Sequence, residues 1–217
     1  RSTCTLGRPG TTQSEDEAMK FIGITGGVGA GKSAILDFIR EHYRAKVVLA
    51  DDLAKELMEP GTACHKKLLE AFGSDGVFDE AGVMDREKMA ALLFTKPKKR
   101  QEMNAIVHPA VKEEILRQVA EEREKGELSY FFLEAALLIE EHYDAICDEL
   151  WYIYTSEEKR RQRLEQNRGY SPERIERMMA SQLPEQVFFE HCAVVIDNNG
   201  TPEEAIRQVT EILDGTV

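Results

Sequence analysis

Cysteine is scarce in this chain, and what there is lacks the spacing that would carry chemistry. The four residues, Cys4, Cys64, Cys147 and Cys192, are widely scattered among 217 and form no C-x-x-C pair. That argues against a zinc ribbon or a disulfide framework and fits reduced thiols in the cytoplasm. Positive charge is also in short supply: 28 Lys and Arg against 40 Asp and Glu leave a formal net charge of -12. Nucleic-acid backbones are held by clustered cations, so no nucleic-acid partner is expected. Long apolar runs are missing as well. The longest, residues 130–139, is interrupted by Glu134 and falls well short of a bilayer span, so a soluble protein without a membrane partner is expected. His42, His65, His142 and His191 have no metal-ligand spacing, no internal repeat is visible, and no Asn-Lys-x-Asp guanine signature occurs. Residues 1–18 are polar, rich in Ser, Thr and Gly, and lack the apolar core of a secretory signal. A disordered tail, artificial or over-extended, is expected ahead of Met19.

Against these absences stands one octapeptide. Residues 26–33 read GGVGAGKS, which fits G-x-x-x-x-G-K-[ST], and the apolar run 21–24 precedes it where a strand is needed. Gly26, Gly29 and Gly31, with Gly27, Val28 and Ala30 between them, let consecutive backbone N–H groups turn around an anion at the start of a helix that continues through Ala34. Lys32 adds a mobile positive charge. Ser33 brings a hydroxyl suited to Mg²⁺ bridging the β- and γ-phosphates. A nucleoside triphosphate with Mg²⁺ is therefore the expected ligand.

Short β-rich runs at residues 21–25, 46–49, 130–133, 151–155 and 193–196 alternate with helical segments. The pattern predicts an α/β protein of P-loop NTPase fold, with a five-stranded parallel sheet flanked by helices. Its core takes about residues 20–51 and 129–217. The gap between the second and third runs exceeds one crossover helix, so residues 52–128 form a helical insertion. Within it, residues 85–94 read as a short amphipathic helix, and Pro109 suits the first turn of another. The basic stretch 156–168, then Gly169 and a new start at Ser171-Pro172-Glu173, predicts a lid over about residues 156–182. A final helix covers about 202–213.

The remaining charged positions decide what is done with the phosphate. Asp51 and Asp52 follow the second strand at the sheet edge where α/β proteins bind ligands. Asp51 is placed either to accept a proton from an attacking hydroxyl or to cap the next helix. Glu134 ends the third strand, where it either supports Mg²⁺ through water or forms a structural salt bridge. Arg160, Arg161, Arg163 and Arg168 supply planar guanidinium groups that can clamp a phosphoryl group, although basic helix faces are often simply solvated. His108, next to Pro109, reads as a cap or core hydrogen-bonding group rather than a general base.

Several segments in order, IGITGGVGAGKS, VVLADDLAKELMEPG, MNAIVHPAVKEEI, LEAALLIE, RRQRLEQNRGYS, MASQLP and VVIDNNGT, together resemble the dephospho-CoA kinase family over nearly all of residues 20–217. The resemblance implies transfer of the γ-phosphoryl of ATP to the ribose 3′-hydroxyl of dephospho-CoA, giving CoA and ADP, by a cytoplasmic monomer or small homo-oligomer. It implies Lys32 and Ser33 on the phosphates and Mg²⁺, and Asp51 as base. Arg163 and Arg168 fall in the lid, and Asn198 and Gly200 lie near the adenine of ATP. Acceptor contacts fall to Asp51, Glu134 and the insertion that carries His108 and Pro109. The chain departs from the family's usual pattern at Leu49, where Asp is common, at Glu134 for Asp and Ala136 for Pro, and at Asn167-Arg168, where the second lid arginine is shifted.

Overall fold

Side chains along each strand alternate between two faces, and the two faces meet different layers. The computed structural model describes residues 18–215; the tail expected at 1–18, save Ala18, lies outside the described residues with Cys4 and the last two positions. The strands are β1 (Lys20–Thr25), β2 (Ala45–Leu49), β3 (Tyr130–Glu134), β4 (Glu149–Tyr154) and β5 (Val194–Asp197). They form one sheet in the order β2-β3-β1-β4-β5, every pairing parallel. Ile22, Ile24, Phe132, Trp151 and Ile153 point to one side, where α1 (Lys32–His42) and α9 (Pro202–Leu213) cover them. Phe21, Phe131, Leu133, Leu150 and Tyr152 point to the other, toward the insertion and α8 (Glu185–His191). Burial on both faces explains why these strands read as nearly continuous apolar runs.

The insertion comprises α2 (Ala50–Leu57), α3 (Ala63–Phe72), α4 (Arg86–Thr95) and α5 (Pro97–Lys125). Thr62 caps α3 by accepting from the His65 N–H, and Asp85 caps α4 through Glu87 and Lys88. Helix α4 turns Met89, Leu92 and Leu93 toward the core, while Phe94 is 86% exposed, and it packs chiefly on α5. One expectation for this segment is corrected. Pro109 does not open a helix. Pro97 does so at the N-terminus of α5, and Pro109 sits in its interior, where its missing N–H leaves the Ala105 carbonyl without the usual helical donor.

The stretch expected as a lid folds as α6 (Glu157–Arg168) and α7 (Pro172–Ala180), joined through Gly169. Cys64, Cys147 and Cys192 are free. Burial pushes the Cys147 thiol up to about 12 and the Cys192 thiol to about 11, so neither carries reactive thiolate at neutral pH.

Candidate nucleotide-binding and phosphoryl-transfer site

Strand β1 ends at Thr25, and the glycine-rich loop runs directly into α1 at Lys32. The N-cap is Gly31, at φ 84° and ψ 28°, and no side chain caps the helix. Its first N–H groups are thus left for an anion. A Cβ at position 31 would lie 2.7 Å from Asn198 Nδ2 and 3.1 Å from Arg163 Nη1. Gly31→Ala is therefore expected to combine left-handed strain with a clash, destabilising the protein by about 1–3 kcal/mol. A thermal melt and an ATP titration check this, with affinity expected to fall at least about tenfold because the loop can no longer close.

The back of the loop is fixed by three donors on one carbonyl. Ala30 O accepts from Thr155 Oγ1 at 3.0 Å, Arg163 Nη1 at 3.2 Å and Asn198 Nδ2 at 2.7 Å. Arg163 also donates through Nη2 to Asn198 O at 2.8 Å. The ends of β4 and β5 and helix α6 thereby brace the glycine-rich loop together. Thr155, 1% exposed, reads in the sequence only as the end of a strand run. A threonine at a strand end gives no signal of its own, and its partner is 125 residues away.

Lys32 donates to Gly26 O at 2.8 Å and lies 3.5 Å from Glu134 Oε1. The ion pair foreseen for Glu134 is present, with the two side chains 17% and 18% exposed. Burial lowers the Lys32 pKa and raises that of Glu134, while their mutual attraction opposes both shifts. Asp51 acts electrostatically on both groups. It is exposed and makes no hydrogen bond or ion pair among the described residues. The capping role considered for it is corrected: β2 passes into α2 without an intervening residue, Leu49 is the N-cap, and Asp51 stands in the first turn. Asp52 instead pairs with Lys55 at 2.7 Å on the surface.

A cavity of about 650 Å³ opens over the loop. Residues 28–33, Glu134, Arg163 and Arg168 line it, with Asn167 beside Arg168. Of the four lid arginines, Arg161 is tied to Glu157 and Glu176 at the surface. Arg160 packs close against Gly27, where a Cβ would stand 2.1 Å from Nη1. Ser33 is exposed, and its hydroxyl makes no hydrogen bond among the described residues. The Ser33 hydroxyl and the Glu134 carboxylate are hard oxygen donors of the kind Mg²⁺ takes alongside phosphate oxygens and water.

The sequence places this arrangement in a family. The family model described as dephospho-CoA kinase matches residues 20–204. The chain belongs to the dephospho-CoA kinase family. A dephospho-CoA kinase of Geobacter sulfurreducens is 37% identical over 194 residues, covering 89% of this chain and 97% of that protein. Among solved structures, TT1252 from Thermus thermophilus superposes with a TM-score of 0.74 at 27% identity, covering 93% of this chain and 100% of that one. A dephospho-CoA kinase from Campylobacter jejuni, at 19% identity and a TM-score of 0.66 over 91% of this chain and 98% of its own, shares the fold.

Within this dephospho-CoA kinase framework, the shifted lid register has a visible outcome: Asn167 and Arg168 both border the cavity. His108 and Pro109 do not line it. The expectation of His108 as a helix cap is corrected too, since it sits mid-helix with Nδ1 2.7 Å from Glu141 Oε1. Lys112 donates to Glu141 O at 2.8 Å, so this stretch of α5 is fastened to the connection between β3 and β4. Gly200 follows Asn198 and Asn199 and is exposed, just ahead of the Thr201–Glu204 capping box of α9. No helix among the described residues is long and apolar enough to cross a membrane.

Proposed function

We propose that the loop, Asp51 and the lid carry out the family reaction, moving the γ-phosphoryl of ATP to the ribose 3′-hydroxyl of dephospho-CoA to give CoA and ADP. The observation that carries this is the grouping of Lys32, Glu134 and an unpartnered Asp51 at the mouth of a glycine-rich loop. Asp51 orients the acceptor hydroxyl and takes its proton. Residues 26–34 cradle the phosphates through backbone N–H groups, and Lys32 exchanges Gly26 O and Glu134 for phosphate oxygens. Mg²⁺, held by Ser33 and supported by Glu134, neutralises charge on the β- and γ-phosphates when bound. Arg163 and Arg168 close over the transferring group and exclude water. Asn198 and Gly200 border the adenine end of ATP. His108 and Pro109 serve the acceptor through the insertion they belong to, and the free thiols support a cytoplasmic location.

The test is ADP release with dephospho-CoA, AMP, uridine and cytidine offered separately. Turnover is expected with dephospho-CoA at a kcat/KM at least about a hundredfold above the others, as befits an acceptor recognised by buried polar contacts. Comparable turnover of a nucleoside or of AMP would overturn the reading.

A further inference from the structure

Two main-chain carbonyls, Ala30 O and Asn198 O, meet behind the glycine-rich loop, and Arg163 donates to both. Its Nη1 reaches Ala30 O at 3.2 Å and its Nη2 reaches Asn198 O at 2.8 Å. Each carbonyl also has a donor that does not come from the arginine. Asn198 Nδ2 stands 2.7 Å from Ala30 O, and Thr155 Oγ1 stands 3.0 Å from Ala30 O and 3.3 Å from Asn198 O. A hydroxyl carries a single hydrogen, so Thr155 donates to one of these carbonyls at a time. Thr155 is 1% exposed and Asn198 7%, so bulk water cannot stand in for a missing donor.

This arrangement bears on how Arg163 leaves the loop. While Arg163 is docked, both carbonyls are satisfied whichever way the Thr155 hydrogen points. Once Arg163 departs, Asn198 Nδ2 still holds Ala30 O, and among the described residues the Thr155 hydroxyl is the remaining side-chain donor to Asn198 O. Docked Arg163 also donates through Nη1 to Thr155 Oγ1 at 3.4 Å, a contact whose loss frees the hydroxyl to turn. The turn is a rotation about Cβ–Oγ1 and moves no backbone. Without it, a buried carbonyl would lose its donor each time Arg163 left, a penalty on the scale of tenfold or more in an equilibrium, roughly.

We propose that Thr155 is a positioning residue that releases Arg163: as Arg163 passes from the loop to the transferring phosphoryl group, the Thr155 hydroxyl turns from Ala30 O to Asn198 O and keeps both carbonyls paired. The loop then holds its shape around the phosphates while the arginine is away. Thr155 itself does not line the cavity over the loop. The proposal rests on the role given to Arg163 above and adds to it the residue that makes its departure cheap.

The test uses the full chain with Thr155→Val, which keeps the β-branched shape and removes the hydroxyl, Thr155→Ser, which restores it, and Arg163→Met. Thermal melts read the hydrogen-bond exchange without any turnover. On the Arg163→Met background, Thr155→Val is expected to lower Tm by about 3 °C or more beyond its effect in wild type, the shift for one buried acceptor left unpaired in a chain of this size. A merely structural hydroxyl would cost the same on both backgrounds. In single-turnover assays Thr155→Val is expected to slow phosphoryl transfer about tenfold, with the ATP Kd within about threefold of wild type and Thr155→Ser within about twofold in both. Added to Arg163→Met, it should slow transfer by no more than about twofold further, because no arginine remains to be released. Failure of the double variant alone to fold, with both single variants folded, is the same coupling at its extreme. Equal Tm losses on both backgrounds, or a Thr155→Val transfer rate equal to wild type, overturn the release by Thr155 while leaving the role of Arg163 standing. Wild-type turnover by Arg163→Met overturns that role and the release with it.

Discussion

Asp51→Asn is expected to lower kcat by about 10²–10⁴-fold, the usual contribution of a positioned general base, while the ATP Kd stays within about twofold. The asymmetry follows from where Asp51 stands. It lies in the first turn of α2, outside the lining of the cavity over the glycine-rich loop, and makes no hydrogen bond or ion pair among the described residues. Removing its charge therefore breaks no structural contact, and Asn keeps the shape and the helix-start preference. What is lost is the acceptor for the proton of the attacking hydroxyl. Single-turnover rates together with an ATP titration separate the two effects. Asp52 does not substitute readily, because its carboxylate is engaged by Lys55 at 2.7 Å on the outer side of the same turn. Turnover near wild type would remove the base role from Asp51.

For Lys32→Met the expected loss in kcat/KM is about 10²–10³-fold or more, the scale for deleting one preorganised donor at developing charge. Folding should survive, with a particular pH signature. In the wild type, burial lowers the Lys32 pKa and raises that of Glu134, each eased by the other's charge. Methionine fills the space of the lysine stem but leaves Glu134 without its cation, so burial raises the Glu134 pKa further. A carboxyl whose folded-state pKa lies above its unfolded value binds more protons when folded. Its stabilising contribution is complete below the unfolded value, close to the ordinary 4.5, and is lost as pH rises through the folded value. The Tm deficit of Lys32→Met against wild type is thus expected to be small in acid and to grow with rising pH above that point. Lys32→Met,Glu134→Gln should abolish the pH dependence without restoring activity. A deficit that shrinks with rising pH would show that the Lys32–Glu134 pair is not organised as described.

Local pattern made much of the fold legible. The five strand runs, the glycine-rich loop, the Ser171-Pro172 helix start and the last helix all follow from period, caps and turn residues, which act within a few positions of one another. The misplacements share one cause. Pro109 and His108 each have a local reading, as a helix start and a cap. Each is decided instead from further away: by the continuous helix begun at Pro97 and by the carboxylate of Glu141. The arginine cluster shows the same limit. Four arginines within nine residues look alike in sequence, yet Arg161 is bound to surface glutamates, Arg163 braces Ala30, Arg160 covers Gly27 and Arg168 borders the cavity over the loop.

By itself the sequence determined the chemistry of the donor side. A glycine-rich turn followed by Lys-Ser at a helix start binds phosphate through backbone groups that need no distant partner, so adjacent residues suffice to specify it. Family membership was also legible, because several short motifs keep their order along the chain. Only the tertiary structure decided which polar groups meet: Asp51 with Lys32 and Glu134, Thr155 and Asn198 on one loop carbonyl, Arg160 with Gln182. These pairings join strand ends and helices far apart in sequence. Electrostatic and hydrogen-bond partnership depends on separation in space, which the parallel sheet sets by bringing the ends of all five strands to one edge.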